Sequence, residues 1–264
     1  MQTNNVFSIY RLMLLGKQSW ITNKKQIGYT LAGFVGILVL VLLFFQSVNN
    51  FRNWENKSGE VMFIFLFFAW GIIYSGFSFP GFRSKEKTIA YLILPASASE
   101  KFVFELVTRI FIYILIMPLL FWCVANLEGV VVHYFVPDLT NYRFSFSGFG
   151  ISNTSPVKTE GWITYMIVQG VMFAFITAFT GASHFSKSPL FKTIFTLTII
   201  GFGYALYSYL LFKGFNLKDF HPANDRVLFM RDKDDALVVF GIAMTLINLC
   251  LLAISWFGLK EKEV

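Results

Sequence analysis

Six stretches free of Asp, Glu, Lys and Arg set the limits on what this chain can become. They cover residues 26–51, 61–82, 110–127, 161–186, 193–212 and 236–259. A helix needs about 20 apolar residues to cross a hydrocarbon core, and each stretch reaches or nearly reaches that length. Inside lipid every backbone N–H and C=O must be paired within the protein, so a span of this composition is a helix. Charged residues make up only 14% of the chain, against roughly 25% in a soluble domain. The expected fold is therefore all-α: one polytopic membrane domain over residues 1–264 with six transmembrane helices. The spans are placed at about 27–45, 61–82, 104–127, 161–184, 193–212 and 236–259.

The charges orient this bundle. With the amino terminus inside, the inner segments carry Arg11, Lys17, Lys24, Lys25, Arg83, Lys85, Lys87, Lys101, Arg109, Lys187, Lys192, Lys260 and Lys262 against five acids, a net of +8. The outer segments come to −1. Positive residues stay on the cytoplasmic side, so the chain is expected to be multi-pass in the cell membrane with both termini cytoplasmic. The basic balance is topological and gives no reason to invoke nucleic acid. No secretory signal peptide is expected, because the first apolar run is too long and lacks a small-residue exit. Cys123 and Cys250 both fall in spans and read as small apolar filler.

Residues 6–21 have a different character. Phe7, Tyr10, Met13 and Leu14 share a side, broken elsewhere by Ser8, Arg11, Gln18 and Ser19, which is the pattern of a helix lying in the membrane interface. Pro118 is expected to kink the third span. Glu128 opens the largest outer segment, in which 131–136 and 143–150 alternate enough to suggest a small β-hairpin. Gln169, Thr177 and Thr180 read as polar glue between helices. The last outer loop places His221 near Asp232, Asp234 and Asp235, but without ligand spacing it reads as a solvated charged loop.

The most informative polar stretch lies between the second and third spans: FRSKEKTIAYLILPASASEKFVFELVTR, residues 82–109. Residues 84–94 form a short amphipathic helix. It must stop at Leu94, because the residue before a proline is pushed out of the α region. Ser97 and Glu100 then have capping-box spacing, each side chain placed to bond the other's backbone N–H. Lys101, Glu105 and Arg109 recur every four residues, a charged stripe on one face of the emerging helix. Taken by itself, this stretch is equally well a solvated connector that keeps the loop inside.

Several chemistries have no motif here. There is no H-E-x-x-H, no G-x-S-x-G, no P-loop and no CxxC pair, so neither enzymatic nor ATP-hydrolysing machinery is expected.

The run Leu92, Leu94, Pro95, Ala96, Ser97, Glu100, Lys101 and Phe102 resembles the L-x-L-P-A-S-x-x-E-K-F stretch of ABC-2-type permeases, the membrane subunits of ATP-binding-cassette exporters. The basic amphipathic lead-in is similar to theirs as well. The resemblance implies an interfacial elbow helix and a first cytoplasmic loop acting as a coupling helix on a separate ATPase. The coupling residues would be Arg83, Lys85, Lys87, Leu94, Pro95, Ala96, Ser97, Glu100, Lys101 and Glu105. It also implies a second permease copy or sibling, with ATP bound by the partner and no cofactor held by this chain. The charged last outer loop departs from the apolar re-entrant helices of many members, which leaves the cargo open. The alternatives are a non-transporting membrane scaffold or assembly protein, and a membrane enzyme using the outer loops.

Overall fold

The structure, a computed structural model, describes residues 7–48, 56–94, 96–135, 143–146, 157–214 and 233–263. Among them every regular element is helical and six helices are long and apolar enough to cross a membrane. The chain is an all-α, multi-pass membrane protein. In order, the elements are α1 (Ile9–Val48), α2 (Asn56–Gly76), a 3-10 turn (Pro80–Arg83), α3 (Lys85–Ile93), α4 (Ala98–Leu106), a π turn (Val107–Phe111), α5 (Ile112–Phe135), α6 (Val157–His184), α7 (Pro189–Gly214) and α8 (Lys233–Glu263). Residues 215–232 of the last outer loop, with His221 and Asp232, lie outside the described residues, Asp234 and Asp235 fall in the first turn of α8, and none of the described residues form a metal-ligand cluster.

Two expectations are corrected. The amphipathic lead-in is helical, but it is not a separate interfacial helix, because α1 runs unbroken for 40 residues. Asn23, Lys24 and Lys25 are polar without being helix breakers, and a helix once nucleated propagates through such residues. At 1.5 Å per residue α1 is about 60 Å long, roughly twice the hydrocarbon thickness. The proposed hairpin is also absent from the described residues: 131–135 complete α5, and 143–146 form no strand. Valine runs carry strand propensity only where a pleated surface exists to receive them. Here the helix persists through Phe135.

The chain divides into two compact units, Met1–Gly71 with Leu94–Ser152, and Ile72–Ile93 with Asn153–Val264. In the first, α1 runs parallel to α4 and α5. Ser8 meets Glu100, a Cβ at Gly16 would touch Phe104 (3.6 Å), and Gln46 meets Glu128. Helix α2 returns antiparallel, with Phe34 on Trp70, Phe63 on Phe121 and Phe67 on Tyr113, whose hydroxyl donates to the Phe67 carbonyl (2.8 Å). Asn126 holds 143–146 against α5 by bonding both the N–H and the C=O of Phe144, whose ring packs on Phe121 and Phe146. Such edge-on aromatic clusters contribute beyond their buried area.

The second unit is built on the parallel pair α6 and α8. Polar side chains recur along their seam: Tyr165 with Thr245, Asn248 Nδ2 donating to Gln169 Oε1 (2.8 Å), and Thr180 donating to the Leu251 carbonyl (3.1 Å). Gln169 and Thr180 are thus the interhelical glue the sequence suggests, whereas Thr177 bonds back to its own helix at the Phe173 carbonyl. Helix α7 is admitted by Gly181, where a Cβ would overlap the Thr193 side chain. The two cysteines are free and sit on exposed helix faces rather than filling a core.

Candidate functional site

The stretch 82–109 folds as two short helices with a break between them, as its sequence demands. Helix α3 ends at Ile93 and α4 begins at Ala98. Between them the Ala96 N–H donates to the Leu94 carbonyl across three residues (2.7 Å). Pro95 itself lies outside the described residues. The break is also where the two units meet along the chain. Arg83, Lys85 and Lys87 belong with α6–α8, while Leu94, Ala96, Ser97, Glu100, Lys101 and Glu105 belong with α1, α4 and α5.

In the second unit α3 is fastened by one face. Thr88 Oγ1 lies within bonding distance of the Gly81 (3.1 Å) and Ser84 (2.9 Å) carbonyls. Tyr91 packs edge-on against Phe82, at a place where a Cβ on Gly81 would collide with its ring. The turn beneath is anchored by Phe79, which is buried against Phe179 with φ 53°. A non-glycine residue holds such a left-handed conformation only when its surroundings fix it. Arg83 folds back on the end of α2, its guanidinium 4.4 Å from the Phe77 ring centroid and 3.4 Å from the Gly76 carbonyl. Lys262, from the end of α8, donates to the Ser183 carbonyl near the end of α6 and lies 5.1 Å over the Phe82 ring. The opposite face of α3 is uncovered: Ile89 is 60% exposed and Ile93 74% exposed, with Glu86 one turn ahead. The helical backbone at Lys85 and Lys87 is described, but their side chains are not.

The α4 side is arranged differently. The capping box forms: Glu100 N–H reaches Ser97 Oγ (3.4 Å) and Glu100 Oε2 accepts from Ser97 N–H (2.9 Å). The other oxygen, Oε1, accepts from Ser8 N–H (2.7 Å) and lies 3.0 Å from Arg11 Nη2. Ser8 immediately precedes α1, and its carbonyl receives the first-turn N–H of Leu12 (3.1 Å). One carboxylate therefore closes the starts of two helices. It is fully buried, at 0% exposure, and Lys101 and Glu105 are buried as well. All three, named above among the coupling residues that the resemblance implies, face inward in this arrangement. Glu105 pairs with Arg109 one turn on (3.3 Å), as the four-residue spacing foretells.

Sequence reasoning did not find the partners of Glu100, although one signal was available. The first acidic residue of the chain is Glu55, so Arg11 needs an anion from far along the sequence. Glu128 was missed too. It is not the opening residue of a loop but a buried member of α5, taking a bond from Gln46 Nε2 (2.8 Å) on one oxygen, with no hydrogen-bond partner for the other among the described residues.

Comparison with known protein families, curated proteins and solved structures finds no match to this chain.

Proposed function

We propose that this chain is the membrane-spanning subunit of an ATP-driven exporter of the ABC-2 type, and that α3 is where a separate ATPase docks. The observation that carries the reading is the two-faced character of α3. One side is locked onto the Pro80–Arg83 turn by Thr88 and Tyr91, while the other presents Ile89 and Ile93 to the surroundings. A helix held rigidly behind and apolar in front suits a partner that presses on it, and large exposed apolar groups on a short polar connector ask for a cover. The motif of 92–102 supports the same reading, and so does the lack of a P-loop in a chain of six spans.

On this reading the inner side is the one bearing α3, the termini and the +8 charge excess. Six spans supply half of a translocation path, so a second copy or a sibling permease completes it. Residues Ser97, Glu100, Lys101 and Glu105 act from within, by holding α4 in place, and contact with the ATPase falls to α3.

Two measurements on native membranes test this. A cysteine at Ser84 should react only with membrane-permeant thiol reagents, and one at Tyr134 with impermeant reagents as well. Crosslinking followed by affinity purification should yield a species of twice the chain mass, or a permease pair, together with a P-loop ATPase. Swapped labelling, or a strict monomer without any ATPase, would overturn the proposal. The second result would favour a scaffold.

A further inference from the structure

We infer that Glu100 is a clamp that makes the first turns of α1 and α4 open and close together, so that a displacement of the 94–97 junction is delivered to the first span. This rests on the reading of that stretch as the input of the transporter, but the clamp stands on geometry of its own. Helices α1 and α4 run side by side and parallel, which brings two amino termini together. Each such end carries unpaired N–H groups and the equivalent of about half a positive charge. Arg11 adds a full positive charge at the same place, and Lys101 is the next residue along α4. Two positive helix ends and a guanidinium would repel one another without an anion among them. The Glu100 carboxylate supplies it, with one oxygen for each helix: Oε1 to Ser8 N–H and Arg11, and Oε2 to Ser97 N–H.

The geometry makes the two helix starts mutually dependent. Freeing Ser8 and Arg11 leaves a buried carboxylate half-satisfied, which loosens its hold on Ser97. Freeing the Ser97 N–H leaves Oε2 without that donor and loosens the hold of Oε1 on Ser8 and Arg11 in the same way. This mutual dependence separates the clamp from a pair of independent caps. Glu100 is a positioning residue here.

The test is hydrogen–deuterium exchange of the full chain in lipid nanodiscs, followed over residues 8–14 and 98–104, with no ATPase required. Arg11→Gln should speed exchange in 98–104 roughly tenfold, although the two segments are far apart in sequence. Arg11→Lys, which keeps the charge, should restore it. Ser97→Ala, which removes Oγ but keeps the N–H bonded to Oε2, should speed 98–104 while leaving 8–14 unchanged. Glu100→Gln should speed both, and adding Arg11→Gln to it should produce no further change. Unchanged exchange over 98–104 in Arg11→Gln, or fully additive effects in the double variant, would overturn the clamp. Because no partner enters the experiment, such a failure is distinct from a failure of the docking proposal.

Discussion

The two units secure their helix ends with charges of opposite sign, one buried and one half-buried. In the first unit an anion, Glu100, sits where two helices begin, and in the second a cation, Lys262, sits where α6 ends and reaches the ring of Phe82 below α3. Both obey the same rule, since a helix start favours negative charge and a helix end favours positive charge. They differ in degree. Glu100 is wholly enclosed and serves several donors, whereas Lys262 is only partly buried. The difference teaches that the halves of the connector are held unequally. The α4 half is fixed by a satisfied ionic cluster, and the α3 half rests mainly on aromatic packing and close glycine contacts.

The largest expected effect comes from reversing the stronger clamp. Glu100→Lys places an ammonium among two helix amino termini and Arg11 in a site closed to water. Breaking a buried pair in this way costs about 3–5 kcal/mol, seen as a large drop in the thermal unfolding midpoint in detergent or as loss of the folded protein. A midpoint near wild type would mean that the charge escapes to solvent and that the cluster is not closed.

Next comes the packing of the second unit. Gly181→Ala drives a methyl into Thr193, whose hydroxyl bonds the Pro189 carbonyl (2.8 Å) and whose branched side chain has little rotamer freedom in a helix. Overpacking of this kind costs about 1–3 kcal/mol, and replacing Thr193 by Ala in the same chain should recover most of the loss. Absence of recovery would locate the strain elsewhere.

How far the sequence foretold these features depends on how local their causes are. The break at Leu94, the capping box at Ser97 and Glu100 and the Glu105–Arg109 pair are each set within four residues, and all are present. The six spans were equally legible, because lipid imposes a length and a polarity that no alternative fold meets. What escaped was long-range or depended on competition between structures. The Ser8–Glu100 bond spans 92 positions and the Gln46–Glu128 bond 82, so no local pattern encodes either. Residues 131–135 alternate like a strand yet continue α5, because an existing helix offered pairing and no neighbouring strand did. The same competition joined the amphipathic lead-in to the first span. A charged stripe likewise tells which side chains share a face, but not whether that face is turned outward. For that reason the burial of Glu100, Lys101 and Glu105 could not be read from their spacing.

Smaller effects sharpen the comparison. Ser97→Ala removes one N-cap acceptor while leaving the Glu100 carboxylate in place, for a loss of about 1 kcal/mol. Lys262→Met keeps most of the stem and removes only the charge at the end of α6, so its effect on the unfolding midpoint should be below about 1 kcal/mol. If Lys262→Met proved as damaging as Glu100→Lys, the two clamps would be equivalent and the asymmetry between the halves would fall.

The most direct test of α3 as a docking surface is ATPase association in a variant that leaves both clamps intact. Ile89→Asp with Ile93→Asp changes two exposed side chains, so the unfolding midpoint should shift by no more than about 0.5 kcal/mol per site. The protein should reach the membrane in normal amounts. This variant should no longer co-purify with the P-loop ATPase that accompanies the wild-type chain. Undiminished co-purification from a normally folded double variant would contradict it and would remove α3 as the docking surface.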